Sequence, residues 1–290
     1  MVQLKREVIF NQILAGSIVK IRALLVEIRG WMQPISFYGP PREQLGGVAS
    51  SLKAVERIYG SHGLPTFMQD NLVALMRNEH FVKDSRFVSA LLDNGDGDRD
   101  LSKIWRLHTC CWAAKSSLGV AGDYVVCGTY KGFYAGAMAQ YLDFGGLPRW
   151  FYLYDSFAGL PEDWSTEQER AQANPGYEWD GVYQEVCERF SVYHNVKVIK
   201  GIVPQVFDEV LPANIAFLHL DMNAVAAETA ALDRLYPLLS DGVMVVLDDF
   251  GRREQSELCD AHIDWWDRHG HTVLELPTGQ GLVTCRKNPA

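Results

Sequence analysis

The chain has 290 residues, of which 48 % are hydrophobic and 11 % aromatic, enough to fill a sizeable core and to exclude wholesale disorder. Lys and Arg number 27 against 36 Asp and Glu, giving a net charge of −9. This argues against a nucleic-acid-binding protein, whose affinity rests on basic patches that release counterions from phosphate. The six cysteines form no Cys-x-x-Cys pair and no Cys/His ladder. A zinc site and a disulfide scaffold are therefore not expected, and all six read as reduced thiols of a cytoplasmic protein.

Residues 3 to 29 place Phe10, Leu14, Ile18, Ile21, Leu25 and Ile28 three or four apart, the spacing of one helical face. Lys5, Arg6, Lys20, Arg22 and Arg29 interrupt the segment, which leaves neither a membrane-spanning run nor a compact signal-peptide core. It reads as an amphipathic helix packed on the body of the protein or on a second subunit, with a membrane-surface helix as the alternative. Gln33 to Gly47, rich in Pro, Gly and aromatics, reads as a loop, and residues 50 to 92 as helical pieces. Asp96, Asp98 and Asp100 alternate like the first ligands of a calcium loop, but Leu101 stands where position six needs glycine. A solvated turn between helices is expected there, followed by a helix from Leu101 to Leu118. The boundary falls near residue 100, between an N-terminal helical region (1–100) and the main domain (101–290).

Beyond Gly122 short apolar runs alternate with helical patterns. Strands are expected at Tyr124–Cys127, Trp150–Tyr154, Val196–Ile199, Ile215–Leu220 and Val243–Leu247, and helices at Phe133–Leu142, Val182–Phe190, Pro204–Val210, Ala224–Leu239 and Glu254–His269. Thr272–Leu276 and Leu282–Cys285 close as a final strand pair around Thr278-Gly-Gln-Gly281. Strands apolar on both faces and separated by helices predict an α/β fold with a mainly parallel sheet covered on both sides. Ligands of such sheets bind at the carboxyl ends of the strands, near the switch in strand order.

Cys127-Gly128-Thr129-Tyr130-Lys131-Gly132 ends the first of these strands and opens a helix, a turn where glycine lets backbone approach a ligand. Asp155 ends the second, with Ser156 after it, 27 residues beyond Gly128. A carboxylate there can accept both hydroxyls of a ribose, a spacing shared by nicotinamide and S-adenosylmethionine enzymes. The turn lacks the Gly-x-Gly-x-x-Gly that a diphosphate needs, which favours the cofactor without phosphates. Asp221 ends the fourth strand and the pair Asp248-Asp249 the fifth, so three carboxylates converge. Either a hard divalent cation such as Mg²⁺ relieves their repulsion, or some of them cap the following helices.

The runs GDYVVCGTYKGFYA, YLYDSFAGLPED, IAFLHLDMN, LYPLLSDGVMVVLDDFG and LPTGQGLV carry a resemblance to the macrocin O-methyltransferase family, spanning about Leu101 to Arg286. The resemblance implies a class I S-adenosylmethionine-dependent methyltransferase, a Rossmann-like fold with a seven-stranded sheet. It implies cofactor contacts at Cys127, Gly128, Thr129, Gly132, Asp155 and Ser156, and magnesium ligands at Asp221, Asp248 and Asp249. Two positions depart from the family pattern: Val126 stands where it has Glu, and Asn223 where it has the Asp proposed as general base. Asn223 cannot take a proton. His219, on the same face of its strand as Asp221, is either the base or a core histidine, and Glu228 is a more remote candidate.

Arg252 and Arg253 either hold an anionic substrate group or are solvated charges, and the long segment from Leu160 to Tyr183 is either a lid or a surface loop. The expected activity is O-methylation, Mg²⁺-assisted, of a hydroxyl on a small sugar-containing or phenolic metabolite of natural-product biosynthesis. The expected assembly is a homo-oligomer whose residues 1–100 supply the subunit contact and part of the acceptor pocket. No nucleic acid and no transmembrane segment are expected. The alternative is a cofactor-binding but catalytically silent partner subunit, and a nicotinamide oxidoreductase suffers from the missing glycine motif.

Overall fold

The computed structural model describes residues 42–62, 66–173 and 181–286. The amphipathic segment 3–29, much of the stretch 33–47 and the end of the long segment, 174–180, lie outside the described residues. The chain divides into two compact units between His108 and Thr109. No helix among the described residues is long and apolar enough to cross a membrane.

In the first unit α1 (Arg42–Ser61) begins inside the stretch read as a loop. Helix-forming Arg42, Glu43, Gln44 and Leu45 directly follow the prolines and outweigh the Gly46-Gly47 pair. Within the stretch read as helical pieces, β1 (Thr66–Gln69) and β2 (Leu72–Leu75) form an antiparallel hairpin instead. Asp70 and Asn71 make its two-residue turn with φ of +52° and +57°, the positive values that a twist-matched hairpin turn requires at both positions. α2 (Ser85–Asn94) is capped by Asp84, whose carboxylate accepts the N–H groups of Arg86 and Phe87. The calcium-like stretch closes on itself, with the Asp96 N–H donating to Asp100 at 3.0 Å. The helix expected over 101–118 is broken at Lys103 into α3 (Asp98–Ser102) and α4 (Ile104–Ser116).

The second unit contains β3 (Asp123–Cys127), α5 (Phe133–Leu142), β4 (Phe151–Asp155), α6 (Glu167–Gln172), α7 (Val182–Phe190) and β5 (Val196–Lys200). It continues with β6 (Ile215–Leu220), α8 (Val225–Leu235), β7 (Leu239–Leu247), α9 (Ser256–Arg268), β8 (Leu274–Glu275) and β9 (Gly281–Cys285). The sheet has seven strands in the order β5-β4-β3-β6-β7-β9-β8. The first five pair in parallel, and β9 runs antiparallel to both β7 and β8. This is the Rossmann-like α/β architecture the residue pattern predicts. All six residues of β6 are buried, and its core neighbours include Val125, Val245, Trp265 and Trp266. Full burial of side chains of this size contributes about 1.5–3 kcal/mol each, which is why uninterrupted apolar runs become central strands.

The expected short helix at Pro204–Val210 is a single 3₁₀ turn over Gln205–Asp208. The helix expected to reach Leu239 stops at Leu235, because Pro237 cannot continue it, and β7 starts four residues earlier than expected. From β3 the chain moves outward through β4 and β5, then crosses back to β6 on the other side of β3. The switch point, and the crevice it opens, therefore lie at the carboxyl ends of β3 and β6.

Candidate active site

The turn after β3 is built against the end of β6. Gly128 has φ of +91°, and an ideal Cβ there would lie 1.9 Å from the carbonyl oxygen of Asp221. Only glycine lets these backbones meet, and the Asp221 N–H donates to the Cys127 carbonyl at 2.9 Å. Gly132, at φ of +79°, opens α5 with Phe190 in the space a Cβ would fill.

Between the two glycines, the Tyr130 N–H donates to Oδ2 of Asp155 at 2.7 Å, and the Phe157 N–H donates to Oδ1 at 2.7 Å. Burial pushes the Asp155 carboxyl up from its ordinary pKa, and the N–H groups of Tyr130, Phe157 and Thr129 oppose that shift. Three of the roughly four acceptor positions of the carboxylate are thus taken by backbone, which leaves room for a further donor.

The other predicted cofactor residues divide into side-chain and backbone positions. Thr129 is buried and its hydroxyl donates to the Tyr154 carbonyl at 3.2 Å. The Ser156 hydroxyl donates to the Gly159 carbonyl and accepts the Ala158 N–H, so it serves its own turn. The Cys127 thiol lies in the hydrophobic core, where burial pushes its pKa far up, and only its backbone faces the turn. Val126 is buried too, paired with Leu153 and His219 on the neighbouring strands. No carboxylate is offered where the family pattern has Glu.

Asp221, Asp248 and Asp249 bring one carboxylate oxygen each within 4.8 Å of one another. None of the three caps a helix: the capping positions of α8 and α9 are Ala224 and Gln255. Each carboxylate has its own polar neighbour. Asp221 Oδ1 accepts from Asn223 Nδ2 at 3.3 Å, Asp248 Oδ1 from Gln280 Nε2 at 2.8 Å, and Asp249 Oδ1 from Arg252 Nη1 at 3.0 Å. An all-oxygen set of this kind fits a hard divalent cation such as Mg²⁺. Arg252 is thus turned inward to Asp249, whereas Arg253 is exposed.

His219 is fully buried. Its Nε2 lies 3.5 Å from Asp248 Oδ1 and 4.0 Å from Cys110 Sγ, and Tyr134 stands edge-on to the ring. It meets Asp248 on the adjacent strand rather than Asp221 on its own. Asn223 adopts φ of +56°, and its Oδ1 accepts from Gln255 Nε2 at 2.7 Å. Glu228 is buried with both carboxylate oxygens engaged: Oε1 by the N–H groups of Met222 and Asn223, Oε2 by His262 at 2.7 Å. That removes it as a proton acceptor for a substrate.

The long segment after β4 is not a bare loop. A 3₁₀ turn at Glu162–Trp164 precedes α6, whose start is a capping box of Thr166 and Glu169. Glu169 Oε1 also accepts the Val225 N–H at 2.9 Å, tying this segment to the first turn of α8 beside Asn223. Gln280, Gln255, Cys110 and His262 are the participants that motif reading passes over. Only Gln280 carried a signal, its place in the Gly-Gln-Gly turn that opens β9.

A profile of the macrocin-O-methyltransferase family matches residues 100–272. The chain is 29 % identical over 162 residues to 8-demethyl-8-(2,3-dimethoxy-alpha-L-rhamnosyl)-tetracenomycin-C 4'-O-methyltransferase of Streptomyces olivaceus, covering 52 % of this chain and 60 % of that protein. It thus spans less than two thirds of that relative's length. Among solved structures, the O-methyltransferase NovP superposes with a TM-score of 0.53 at 19 % identity, covering 63 % of this chain and 81 % of that one. The calicheamicin methyltransferase CalS11 gives 0.53 at 14 % identity, covering 72 % and 94 %. These two likenesses show the methyltransferase fold.

Proposed function

Because the chain belongs to the macrocin-O-methyltransferase family, we propose that it is an S-adenosylmethionine-dependent O-methyltransferase. Its acceptor is a hydroxyl of a small sugar-containing or phenolic metabolite. The rhamnosyl group in the tetracenomycin relative's name favours the sugar-containing arm. The observation that carries the reading is the contact between Gly128 and Asp221, which sets the turn beside Asp155 against the three-carboxylate cluster at one switch point.

In this reading Asp155 would accept a ribose hydroxyl at the position its backbone donors leave open, and the glycine turn would admit the cofactor close to the backbone. Asp221, Asp248 and Asp249 would hold Mg²⁺, which when bound lowers the pKa of an acceptor hydroxyl. The chain's own contribution is orientation. Asn223 holds Asp221, Gln280 and His219 face Asp248, and Arg252 holds Asp249. S-adenosylmethionine, when bound, would supply an electrophilic methyl group to the acceptor oxygen and leave as the thioether, with the acceptor's proton released to solvent. General-base catalysis is worth about 10²- to 10⁴-fold, whereas positioning supplies on the order of 7–11 kcal/mol, so Asn223 in place of an acid is compatible with turnover.

Calorimetric binding of S-adenosylmethionine, with Mg²⁺ and again with EDTA, tests the proposal. Cofactor binding accompanied by a separate Mg²⁺ signal that Asp221→Ala and Asp249→Ala abolish supports it and justifies an acceptor screen. Cofactor binding without methyl transfer to any hydroxyl acceptor points instead to the silent partner subunit, a reading that Asn223 and Val126 favour. Absence of cofactor binding overturns both.

A further inference from the structure

We propose that Glu228 and His262 form a buried positioning pair that sets the Asp221-Met222-Asn223 turn for methyl transfer. The inference rests on the methyltransferase reading, because it assigns the turn its purpose. It concerns residues that make no contact with cofactor or acceptor in that reading.

The need for such a pair follows from the local chain. β6 ends at Leu220 and α8 begins at Val225, so four residues must carry the reversal from strand to helix. Asn223 lies in the left-handed region at φ of +56°, and the inward-facing N–H groups of Met222 and Asn223 need an acceptor. A cap side chain would not serve them, because it reaches forward to the second and third helical N–H groups, here those of Ala226 and Ala227. The cap residue is Ala224, which offers no side-chain acceptor.

Glu228 supplies the acceptor that these two N–H groups need. From the first turn of α8 its side chain folds back, and Oε1 takes both N–H groups, at 3.0 and 3.1 Å. Its Oε2 accepts from His262 Nε2 of α9 at 2.7 Å. Glu228 is 2 % exposed and His262 0 %.

Burying a carboxylate is costly, and replacing a buried ionic pair by apolar side chains of similar volume is often neutral or stabilising. Stability alone therefore does not account for Glu at this position. What an apolar residue could not do is hold two backbone N–H groups on either side of the Met222 peptide at once. Those groups follow directly on Asp221, so their position sets where its carboxylate points. The ring of His262 in turn keeps the Glu228 side chain from leaving the turn for solvent.

The test uses the whole chain and three variants, Glu228→Gln, Glu228→Leu and His262→Leu. Amide hydrogen exchange is read residue by residue, and kcat, KM and cofactor affinity are measured in parallel. Gln keeps an oxygen for both N–H groups, so exchange at Met222 and Asn223 and kcat should stay within a few-fold of the parent. In Glu228→Leu the two amides should exchange about ten- to a hundred-fold faster while the β3 and β4 amides hold their rates. Its kcat should fall more than KM rises, with cofactor affinity retained through Asp155. His262→Leu should loosen the same two amides by a smaller factor, and it carries the test if Glu228→Leu does not fold.

Unchanged exchange at Met222 and Asn223 in both Leu variants overturns the proposal. So does a uniform acceleration across the sheet, or a Gln variant as impaired as Leu. The exchange measurement needs no acceptor. A parent protein that binds no cofactor therefore counts against the methyltransferase reading alone, and the brace is judged on its amides.

Discussion

Placing a single methyl group at Gly128 tests the contact on which the site geometry depends. In Gly128→Ala the new Cβ would lie 1.9 Å from the Asp221 carbonyl oxygen, 2.4 Å from its carbon and 3.1 Å from the Met222 nitrogen. Comfortable contacts begin near ~3.5 Å, so one backbone must retreat by roughly 1.5 Å. That retreat strains the 2.9 Å bonds from the Asp221 N–H to Cys127 and from the Gly128 N–H to Tyr154. The positive φ alone costs an alanine about 1–2 kcal/mol. Steric overlap in a packed site adds about 1–3 kcal/mol, for a total of roughly 2–5 kcal/mol.

Gly270 is the control, since its φ is +76° and nothing lies within 4 Å of its ideal Cβ. Gly270→Ala should show the conformational cost alone. Urea unfolding followed by tryptophan fluorescence reads both variants, and cofactor calorimetry on Gly128→Ala reads the effect on the site. Equal destabilisation by the two substitutions would refute the reasoning, because it would mean that the turn does not bear on Asp221.

Three further outcomes are expected. Asp248→Asn should abolish Mn²⁺ binding followed by electron paramagnetic resonance, since it removes one of three convergent carboxylates; undiminished binding would place the cation elsewhere. Glu169→Ala frees the Val225 N–H and opens the capping box, so limited proteolysis within 161–173 should accelerate, at a cost of about 0.5–2 kcal/mol, and Glu169→Gln, with one oxygen for two N–H groups, should fall between it and the parent. The raised pKa of Asp155 means that the folded chain holds this proton to higher pH than the unfolded chain. Its contribution to stability is therefore full in acid, below the unfolded carboxyl value, and is lost as pH rises through the folded one. Subtracting the urea stabilities of Asp155→Asn from those of the parent across that interval should give a difference that falls with pH, and a rising difference would contradict the burial argument.

The boundary between what was legible in the residues and what was not follows the range of the interactions. β6 is legible because Ile215-Ala-Phe-Leu-His-Leu220 is buried on both faces, so its identity depends on composition alone. The strand-end acids are legible because a parallel sheet brings every carboxyl end to one edge.

The β1–β2 hairpin is less so, since it turns on Asp70-Asn71 adopting positive φ rather than on the usual Asn-Gly. The uses of side chains at the site are less legible still. Nothing local distinguishes Glu228 from an exposed helix glutamate. Its role exists only because the reversal after β6 turns the Met222 and Asn223 N–H groups toward it and because α9 delivers His262 from 34 residues away. Ser156 illustrates the opposite direction: its position suggests a ligand contact, and the sharp turn to Gly159 already engages its hydroxyl. A motif reports which side chains the sheet edge gathers. Which of them remain free for a ligand is decided by backbone groups that the motif does not contain, and those become visible only when each donor and acceptor in the turns is accounted for.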